Sequence, residues 1–477
     1  MAKKQSIKMN FLYQAFYEIL VLALPLLTSP YISRVLGASN IGIYSYTYTI
    51  ANYFVLFAAL GIKNYGNREI SRNKDNRETL NKTFSGILFL HFTISAIALI
   101  GYFGYYLIAR PEYKTYVMIQ SLYVIAAFFD ISWFFFGMEL FKTTVMRNTA
   151  IKVVSVVCIF IFVRQPSDLW KYVLILAVSN FAGQIYLWFK LKPLVSIVSV
   201  GKEEIFRHLP QMSILFIPTI AVSLYNYMDK VMLGAMSGTI ELGFYENAFK
   251  ITTIGSTVVG SVGTVMLPRM SNLVANGRKE ESRKYISISM EFVMIMAYAM
   301  AFGIAAVSDI FAPVFWGREF LECGPLLLLM GIVIPVKGFA NVLRTQYLIP
   351  NRRDKEYTCS LCCGALCNLI ANFILIPTLG AIGATVATVA AEVAVAIVQA
   401  VFTAKEIPVK QYLLKTMPYF IAGMVMLMIV RGFAGAMEAT VISLLVLIMM
   451  GAIIYLGLVF TYLVVTKNQI LKFVKNK

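Results

Sequence analysis

Three polar residues in one apolar stretch are spaced so that a helix would bring them onto one face. Lys337, Asn341 and Arg344 lie four and three residues apart, which on a helix of 3.6 residues per turn keeps them within about 60° of one another. Ionisable groups inside apolar spans are costly and mark functional sites by default. Two cations and an amide on one face predict binding of an anionic ligand. The structural alternative is an internal salt bridge from Lys337 to Glu392 or Asp130.

Further ionisable residues in apolar stretches extend this set to six cations against three acids. A positive excess favours an anionic ligand, and the accompanying Asn and Tyr suit one with many hydroxyls, so a sugar on a diphosphate fits both features. Arg34, Lys152 and Lys250 lie near enough to span ends that their side chains could instead snorkel to the surface. The acids would bind a coupling ion, H⁺ or Na⁺, or be structural. The candidate substrate-binding residues are Arg34, Lys152, Asn226, Tyr227, Lys230, Lys250, Lys337, Asn341 and Arg344, and the candidate acids are Asp130, Asp229 and Glu392.

The segments that must position these residues are unusually apolar. Of 477 residues, 59% are hydrophobic and 14% are charged, whereas a soluble domain is about half apolar and about a quarter charged. The apolar residues form blocks near the ~20 residues that a helix needs to cross a bilayer. Strands of a membrane barrel would be about 10 residues of alternating polarity. An all-α polytopic membrane protein is therefore predicted, with fourteen spans at about 13–36, 41–62, 84–108, 116–136, 145–163, 169–189, 210–234, 244–267, 286–307, 323–348, 358–376, 380–402, 412–431 and 439–465.

The net charge of +18 follows from where the basic residues fall along the chain. Alternate connections between the spans, together with both chain ends, carry 30 of the 42 Lys and Arg, and the opposite connections carry 6. Basic residues concentrate on the cytoplasmic side of membrane proteins. Both termini are therefore predicted to be cytoplasmic, and the basic balance is a topology signal that calls for no nucleic acid.

Catalytic and metal motifs are sparse. The chain has two His, His91 and His208, in unrelated places, and no phosphate loop, HExxH or nucleophile elbow. The predicted outer connections are too short to fold into a domain, so transport is favoured over catalysis. The Cys359–Cys367 segment resembles a metal site superficially, but it lies in an apolar helix without a nearby His. We therefore expect no catalytic residue, no metal and no cofactor.

A weak internal duplication relates the two halves of the chain. The segment that begins at Gly42 (GIYSYTYTI) matches the one that begins at Gly243 (GFYENAFKI), and each follows a Leu-Gly pair, at Gly37 and Gly234. The copies lie six spans apart and so run the same way through the membrane, as in parallel repeats. This organisation predicts two six-helix lobes around a central cavity. The expected divisions are an N-lobe at 1–190, a cytoplasmic linker at 191–209, a C-lobe at 210–402, and two extra helices with a basic tail at 403–477.

Four segments resemble one family in matching order. They are LPLLTSPYISRVLGASNIGIYSYTYTI (24–50), YNYMDKVMLG (225–234), MLPRMSNL (266–273) and LGAIGATVATVAAE (379–392). They are similar to the Wzx-type polysaccharide flippases of the multidrug/oligosaccharidyl-lipid/polysaccharide exporter superfamily, over essentially the whole chain. The resemblance implies movement of undecaprenyl-diphosphate-linked oligosaccharide across the bacterial cytoplasmic membrane by alternating access, for surface polysaccharide, beside other assembly proteins.

Related lipid II flippases share this architecture, and the resemblance carries two further implications from them. Their last two helices form a groove for the lipid tail, which would give spans 13 and 14 a role. Cationic cavity residues contact the diphosphate, which by position extends to Arg34, Lys337 and Arg344. The chain lacks the paired arginines typical of their first helix, which disfavours lipid II itself. A multidrug cation antiporter of the same superfamily and a membrane glycan polymerase or ligase are the alternatives.

Overall fold

The fold is entirely helical over the part of the chain that the computed structural model describes. Its backbone is described for residues 7–468, and its side chains for 19–468 except 111, 217, 218, 221, 222 and 224–226. The helices are α1 (Ile7–Ala59), α2 (Ile62–Asn73), α3 (Arg77–Ile108), α4 (Lys114–Phe128), α5 (Ser132–Gly137), α6 (Phe141–Phe162), α7 (Leu169–Leu191), α8 (Lys202–Phe206), α9 (Leu209–Met236), α10 (Thr239–Ala275), α11 (Lys279–Phe315), α12 (Cys323–Gly331), α13 (Val333–Leu343), α14 (Asp354–Thr403), α15 (Val409–Ala434) and α16 (Val441–Val465).

These helices account for all fourteen predicted spans. Eleven helical stretches within the described residues are long and apolar enough to cross a membrane. Two of the eleven hold two spans each, because α1 bends at Gly37 and α14 bends at Gly380. The remaining predicted span, the seventh, coincides with α9, some of whose side chains lie outside the described set. The protein is thus a multi-pass membrane protein, and the all-α prediction is confirmed.

The chain divides into two compact units, Met1–Val231 and Met232–Lys477, and the division falls within α9. In the first unit, α1 packs against α3, α4 and α6, and α4 and α6 pack against α7. In the second, α10 and α11 pack against α12 and α13, while α15 and α16 pack against α11. The last two helices, α15 and α16, therefore pack on the rest of the second unit through α11.

The two units share a backbone feature that supports the duplication. Gly37 has φ 77° and ψ 170°, and Gly238, just before α10, has φ 97° and ψ 177°. This combination is accessible essentially to glycine alone. Gly238 follows Gly37 by the same number of residues as Gly243 follows Gly42. Gly238 is thus the equivalent of Gly37, and the pairing with Gly234 suggested by the Leu-Gly dipeptides was wrong by four residues.

The segment between α7 and α9 packs against α2 and α3. The chain at 196–198 donates hydrogen bonds to side chains of α3, from Ser196 N–H to Asn81 Oδ1 and from Val198 N–H to Ser85 Oγ. His208 is 1% exposed, and its Nδ1 shares a hydrogen bond of 2.6 Å with the Tyr65 hydroxyl. Burial, reinforced by the charge of Arg207, lowers the pKa of His208 to about 4. The neutral imidazole is therefore the form that the fold accommodates.

This depressed pKa predicts a loss of stability in acid. In the unfolded chain His208 takes up its proton near the ordinary pKa of about 6.5. The contribution of neutral His208 to the free energy of unfolding is therefore complete above that pH and is lost as the pH falls towards 4. Between pH 7 and pH 5 the loss should be about 2 kcal/mol. Thermal unfolding in detergent at both pH values measures it. The variant His208→Gln should lose less stability over this interval than the wild type, and equal losses in the two proteins would contradict the assignment.

Candidate functional site

Two adjoining polar cavities lie within the first unit, one between α1, α4, α6 and α7 and the other between α1, α2, α3, α4, α7 and α9. The arginine cavity, of about 340 Å³, is lined by Arg147 and Lys152 among others. The aspartate cavity, of about 450 Å³, is lined by Asp130 and Tyr227 among others. The two volumes are within the range of small-molecule sites. The residues that line both cavities are Tyr48, Tyr123, Asn180 and Gln184.

Arg147 is a site residue that the sequence analysis missed. It lies in the predicted span 145–163 but was not among the candidate residues, and α6, which begins at Phe141, places it inside the helix. Its Nη1 donates to the Gly183 carbonyl and to Gln184 Oε1, both at 3.1 Å, and its Nε and Nη2 donate to Asn148 Oδ1. The side chain is thereby fixed at the wall of the arginine cavity. Its position inside the predicted span 145–163, two residues from the start of that span, was the signal that could have found it.

Lys152 also lies deeper than the sequence suggested. It is eleven residues from the start of α6 and ten from its end, about 15 Å from either at 1.5 Å per residue. A lysine side chain cannot reach the end of a helix over that distance, so the expectation of snorkelling to a span end is wrong for this residue. Lys152 instead contributes its charge to the arginine cavity.

Tyrosine rings form a continuous row beside the cavities. Tyr172 meets Tyr44 edge to face at 5.0 Å, Tyr44 stacks on Tyr48 at 5.5 Å, and Tyr48 meets Tyr123 edge to face at 5.2 Å. Each ring offers an apolar face and a polar hydroxyl. The cavities therefore combine aromatic faces with amides and three cations, Arg147, Lys152 and Lys63, a surface suited to a polyhydroxylated ligand.

The other candidates of the first unit differ in their surroundings. Tyr227 lines the aspartate cavity, with the Lys230 ammonium 5.9 Å from the centroid of its ring, and Asp229 and Lys230 are buried. Arg34 is exposed, three residues before the bend of α1. The side chain of Asn226 lies outside the described residues, so its predicted role stays a prediction.

Asp130 lies where the fourth predicted span is interrupted. It falls between α4 and α5, and its Oδ1 accepts the Ser132 N–H at 2.8 Å. It also lines the aspartate cavity, as does His91, whose Nε2 is 2.8 Å from the Ala127 carbonyl. Asp130 therefore has a structural contact at the helix break while remaining at a cavity wall.

In the second unit, Lys337 and Glu392 form an ion pair. Lys337 Nζ lies 2.8 Å from Glu392 Oε1, with the lysine side chain 30% exposed and the glutamate 5%. The salt bridge that the sequence offered as an alternative is thus present, and Glu392, rather than Asp130, is the partner. The pair joins α13 to the second half of α14.

Asn341 and Arg344 contact other residues than Lys337 does. Asn341 faces Gly263 on α10, where a Cβ would lie 2.1 Å from its Oδ1. Arg344 begins a π-helical turn, Arg344–Leu348, and its Nη1 donates to the Tyr357 hydroxyl at 3.5 Å. Lys337 therefore contacts the second half of α14, Asn341 contacts α10, and Arg344 contacts Tyr357 in the first half of α14.

The acids inside the spans are more numerous than the sequence count allowed. Lys250 lies 3.7 Å from Glu246 one turn earlier on α10. Glu291 on α11 is buried and accepts hydrogen bonds from Tyr419 and Asn468. Because Glu246 and Glu291 were left out, the excess of six cations over three acids was overstated. The charge argument now depends on individual cavities rather than on the total.

An apolar cavity of about 420 Å³ lies in the second unit between α10, α11, α15 and α16. Its described lining holds no charged residue. Tyr455 is the one lining residue with a hydroxyl, and that hydroxyl donates to the Ile295 carbonyl at 2.9 Å. Gly451 on α16 lines the cavity and, having no side chain, leaves part of its volume open. Such a space suits a hydrocarbon chain.

Metal ligands are not clustered in the part of the chain that the structure describes. No group of three or more His, Cys, Asp or Glu there could hold a metal ion. Cys359, Cys362 and Cys363 lie exposed on α14.

Comparisons with known proteins agree with this architecture. The model of a family described as polysaccharide biosynthesis protein matches residues 7–274. The putative O-antigen transporter of Escherichia coli K12 is 24% identical over 394 residues, which are 82% of this chain and 94% of that protein. The lipid II flippase MurJ in an inward closed conformation aligns with a TM-score of 0.79 at 14% identity, covering 96% of this chain and 100% of that one.

A multidrug resistance MATE family transporter of the MOP superfamily, in an inward-facing conformation, is similar as well. Its TM-score is 0.59 at 12% identity, with 86% of this chain and 97% of that chain covered. At these identities the two likenesses concern the fold alone. The predicted all-α polytopic fold is confirmed, and these two solved structures share it.

Proposed function

Because the chain belongs to the polysaccharide biosynthesis protein family, we propose that it is a flippase for undecaprenyl-diphosphate-linked oligosaccharide repeat units. It moves them from the inner to the outer leaflet of the bacterial cytoplasmic membrane for surface polysaccharide such as capsule or O-antigen. It is a transporter and no enzyme, and it works beside other assembly proteins of that membrane. The relative named as a putative O-antigen transporter supports a substrate of this type.

The observation that carries the proposal is the coexistence of two kinds of cavity in one chain. The first unit holds polar cavities with cations, amides and tyrosines, and the second unit holds an apolar cavity bounded by α15 and α16. A lipid-linked glycan has both chemistries, a hydrocarbon chain and a charged, hydroxyl-rich head. In this proposal the apolar cavity takes part of the prenyl chain.

The proposed transport cycle is alternating access between two lobes. Residues 1–190 and 210–402 form the N- and C-lobes around a central cavity, 191–209 link them in the cytoplasm, and 403–477 add the tail-binding helices. Both termini lie in the cytoplasm, following the basic residues. Arg34, Lys337 and Arg344 contact the diphosphate, and the remaining candidates, from Lys152 and Asn226 to Lys250 and Asn341, line the path of the head group.

Membrane potential supports export of such a substrate. Moving one charge through 100 mV is worth about 2.3 kcal/mol, so two negative charges leaving a negative interior gain at most about 5 kcal/mol. A coupling H⁺ or Na⁺ would act at Asp130, Asp229 or Glu392. Of these, Glu392 has a cation partner, Lys337, that such an ion could replace.

A multidrug cation antiporter is the second candidate, favoured by the fold shared with a MATE transporter. The arginine cavity argues against it, since Arg147 and Lys152 line it and no Asp or Glu is among its described lining residues. A lipophilic cation would meet two like charges there.

The direct test is flipping of a fluorescent undecaprenyl-diphosphate oligosaccharide in proteoliposomes. We expect movement between leaflets that depends on the protein and increases with a potential that is negative on the side of origin. A cationic dye, offered to the same vesicles, should not be transported. Export of the dye without movement of the lipid-linked glycan would replace the flippase by the antiporter.

A further inference from the structure

An ion pair lies at one end of the apolar cavity of the second unit. Arg431 on α15 and Asp309 on α11 are joined by a contact of 2.6 Å between Nη2 and Oδ2. Val430, next to Arg431, lines the cavity, as do Val307 and Phe311 on either side of Asp309. The pair is therefore at the end towards which α11 and α15 run. In the proposed topology that end faces the outer leaflet.

The guanidinium of Arg431 is positioned by a contact that a ligand need not disturb. Its Nη1 donates to the Ala305 carbonyl at 3.3 Å, and Ile304 and Ala306, the neighbours of Ala305, line the cavity. A guanidinium has five N–H donors in a rigid fork that matches the geometry of a phosphate. Among the described residues Arg431 donates to Ala305 and Asp309, which leaves donors for a further acceptor.

Asp309 is a partner that an anion of greater charge can replace. The side chains of Arg431 and Asp309 are 39% and 56% exposed, and ion pairs in contact with solvent contribute little to stability. Asp309 Oδ1 also accepts a hydrogen bond from the Ser308 hydroxyl at 3.3 Å, so this carboxylate keeps a partner after Arg431 is withdrawn. A phosphate carries at least the charge of a carboxylate and binds an arginine through the same two-point geometry.

The ion pair and the cavity together match the two parts of one lipid. A polyprenyl phosphate joins a hydrocarbon chain directly to an anionic head. The cavity wall on α11 extends from Ala299 to Phe311, twelve residues apart, which is about 18 Å at 1.5 Å per residue. That length accommodates several isoprene units, with the phosphate at Arg431.

Resting on the proposed function, we infer that Arg431 and the apolar cavity form an exit site, which holds the phosphate head and the adjoining isoprene units of the polyprenyl substrate in the outer leaflet. Arg431 exchanges Asp309 for the phosphate, and the cavity takes the chain. The exit site is separate from the cations assigned to the diphosphate during transport. It adds a position at which the flipped lipid is held before it leaves the protein.

Binding of two fluorescent probes to the purified protein in detergent tests the exit site. The probes are a polyprenyl monophosphate and the corresponding polyprenol, which differ only in the phosphate. The variants are Arg431→Gln and Asp309→Asn, and each has a matched control, Arg318→Gln and Glu322→Gln respectively. Arg318 and Glu322 are exposed in the same predicted outer connection or at its end, and neither is among the described residues that line the cavity.

We expect Arg431→Gln to weaken binding of the phosphate probe by about tenfold, the magnitude of one charge-assisted hydrogen bond, and to leave polyprenol binding unchanged. Asp309→Asn should strengthen binding of the phosphate probe, because Arg431 then has no competing carboxylate, and a gain of affinity cannot arise from unfolding. Both control variants should bind like the wild type.

The two variants break the same ion pair but are expected to change the affinity in opposite directions. Weaker binding in both, or unchanged binding in both, would give the pair a structural role and overturn the inference. Changes of equal size in Arg318→Gln and Glu322→Gln would replace the exit site by a general effect of charge on that face, and would overturn it as well.

Phospholipids also carry a phosphate, so phosphatidylglycerol is the other source to separate. Unlabelled polyprenyl phosphate should displace the phosphate probe at a concentration about tenfold lower than phosphatidylglycerol does, the equivalent of two further buried CH₂ groups. Equal displacement would make this a site for any lipid phosphate and overturn its assignment to the substrate.

Flipping of the undecaprenyl-diphosphate oligosaccharide by the same wild-type preparation tests the proposed function separately. Flipping without an affinity that depends on Arg431 would overturn the inference and leave the flippase intact. An affinity that depends on Arg431 without any flipping would refute the flippase, and with it the role of this site in exit.

Discussion

Replacing Lys337 with methionine should destabilise the protein by about 3–5 kcal/mol, the range observed when one partner of a buried ion pair is removed. The substitution leaves Glu392, whose side chain is 5% exposed, without the ammonium 2.8 Å away. A buried carboxylate then lacks a counter-charge and must be protonated or hydrated. Thermal unfolding of the purified variant in detergent measures the loss.

The double variant Lys337→Met/Glu392→Gln separates folding from transport. Replacing both charges by groups of similar volume is often neutral, so most of the lost stability should return. Unfolding of the double variant at the temperature of the single one would contradict a dominant role for the ion pair. If Lys337 contacts the diphosphate as proposed, the double variant should fold but transport poorly; wild-type transport would make the pair purely structural.

Filling the apolar cavity should reduce flipping of a long prenyl substrate by about tenfold or more. Gly451 lines the cavity, and a phenylalanine side chain there would occupy space proposed for the hydrocarbon chain. Each buried CH₂ contributes about 0.8 kcal/mol, so excluding two of them already costs about tenfold in affinity. The measurement is flipping of the undecaprenyl probe by Gly451→Phe.

Two matched variants control this experiment. A Cβ at position 451 would lie 3.5 Å from Met426 and Val430, an ordinary contact, so Gly451→Ala should transport normally. Gly457→Phe adds the same ring on the same helix where a Cβ meets nothing within 4 Å, and it should also transport normally. An equal loss in Gly451→Phe and Gly457→Phe would indicate a general effect on α16 rather than a filled cavity.

Local composition was sufficient to predict the spans, because crossing a bilayer requires about twenty apolar residues in a row whatever lies beside them. It could not predict which polar groups meet. The pairing of Lys337 with Glu392 joins residues far apart in sequence, so the sequence offered two acids as equal alternatives. Lys152 and Arg147 lie deeper than the predicted span 145–163 indicated, because α6 begins four residues earlier, at Phe141, directly after the turn at Met138–Leu140.

The charge count failed for a related reason. Glu246 and Glu291 lie two and five residues inside the predicted starts of spans 8 and 9, whereas helices α10 and α11 begin earlier, at Thr239 and Lys279, so both acids lie deeper in their helices than the spans indicated. Glu291 is in contact with Tyr419, which lies in the thirteenth predicted span, and with Asn468, which follows the fourteenth. The row of tyrosines likewise needs three helices to be packed before it exists.

The bends at Gly37 and Gly380 reduce two connections between spans to a single residue, and Ser237 and Gly238 alone separate α9 from α10. In the proposed topology all three lie on the outer face. A protein that receives the glycan on that face would have almost no loop to bind at these three points. In the proposed topology, such a protein would therefore contact helix ends rather than loops at these three points.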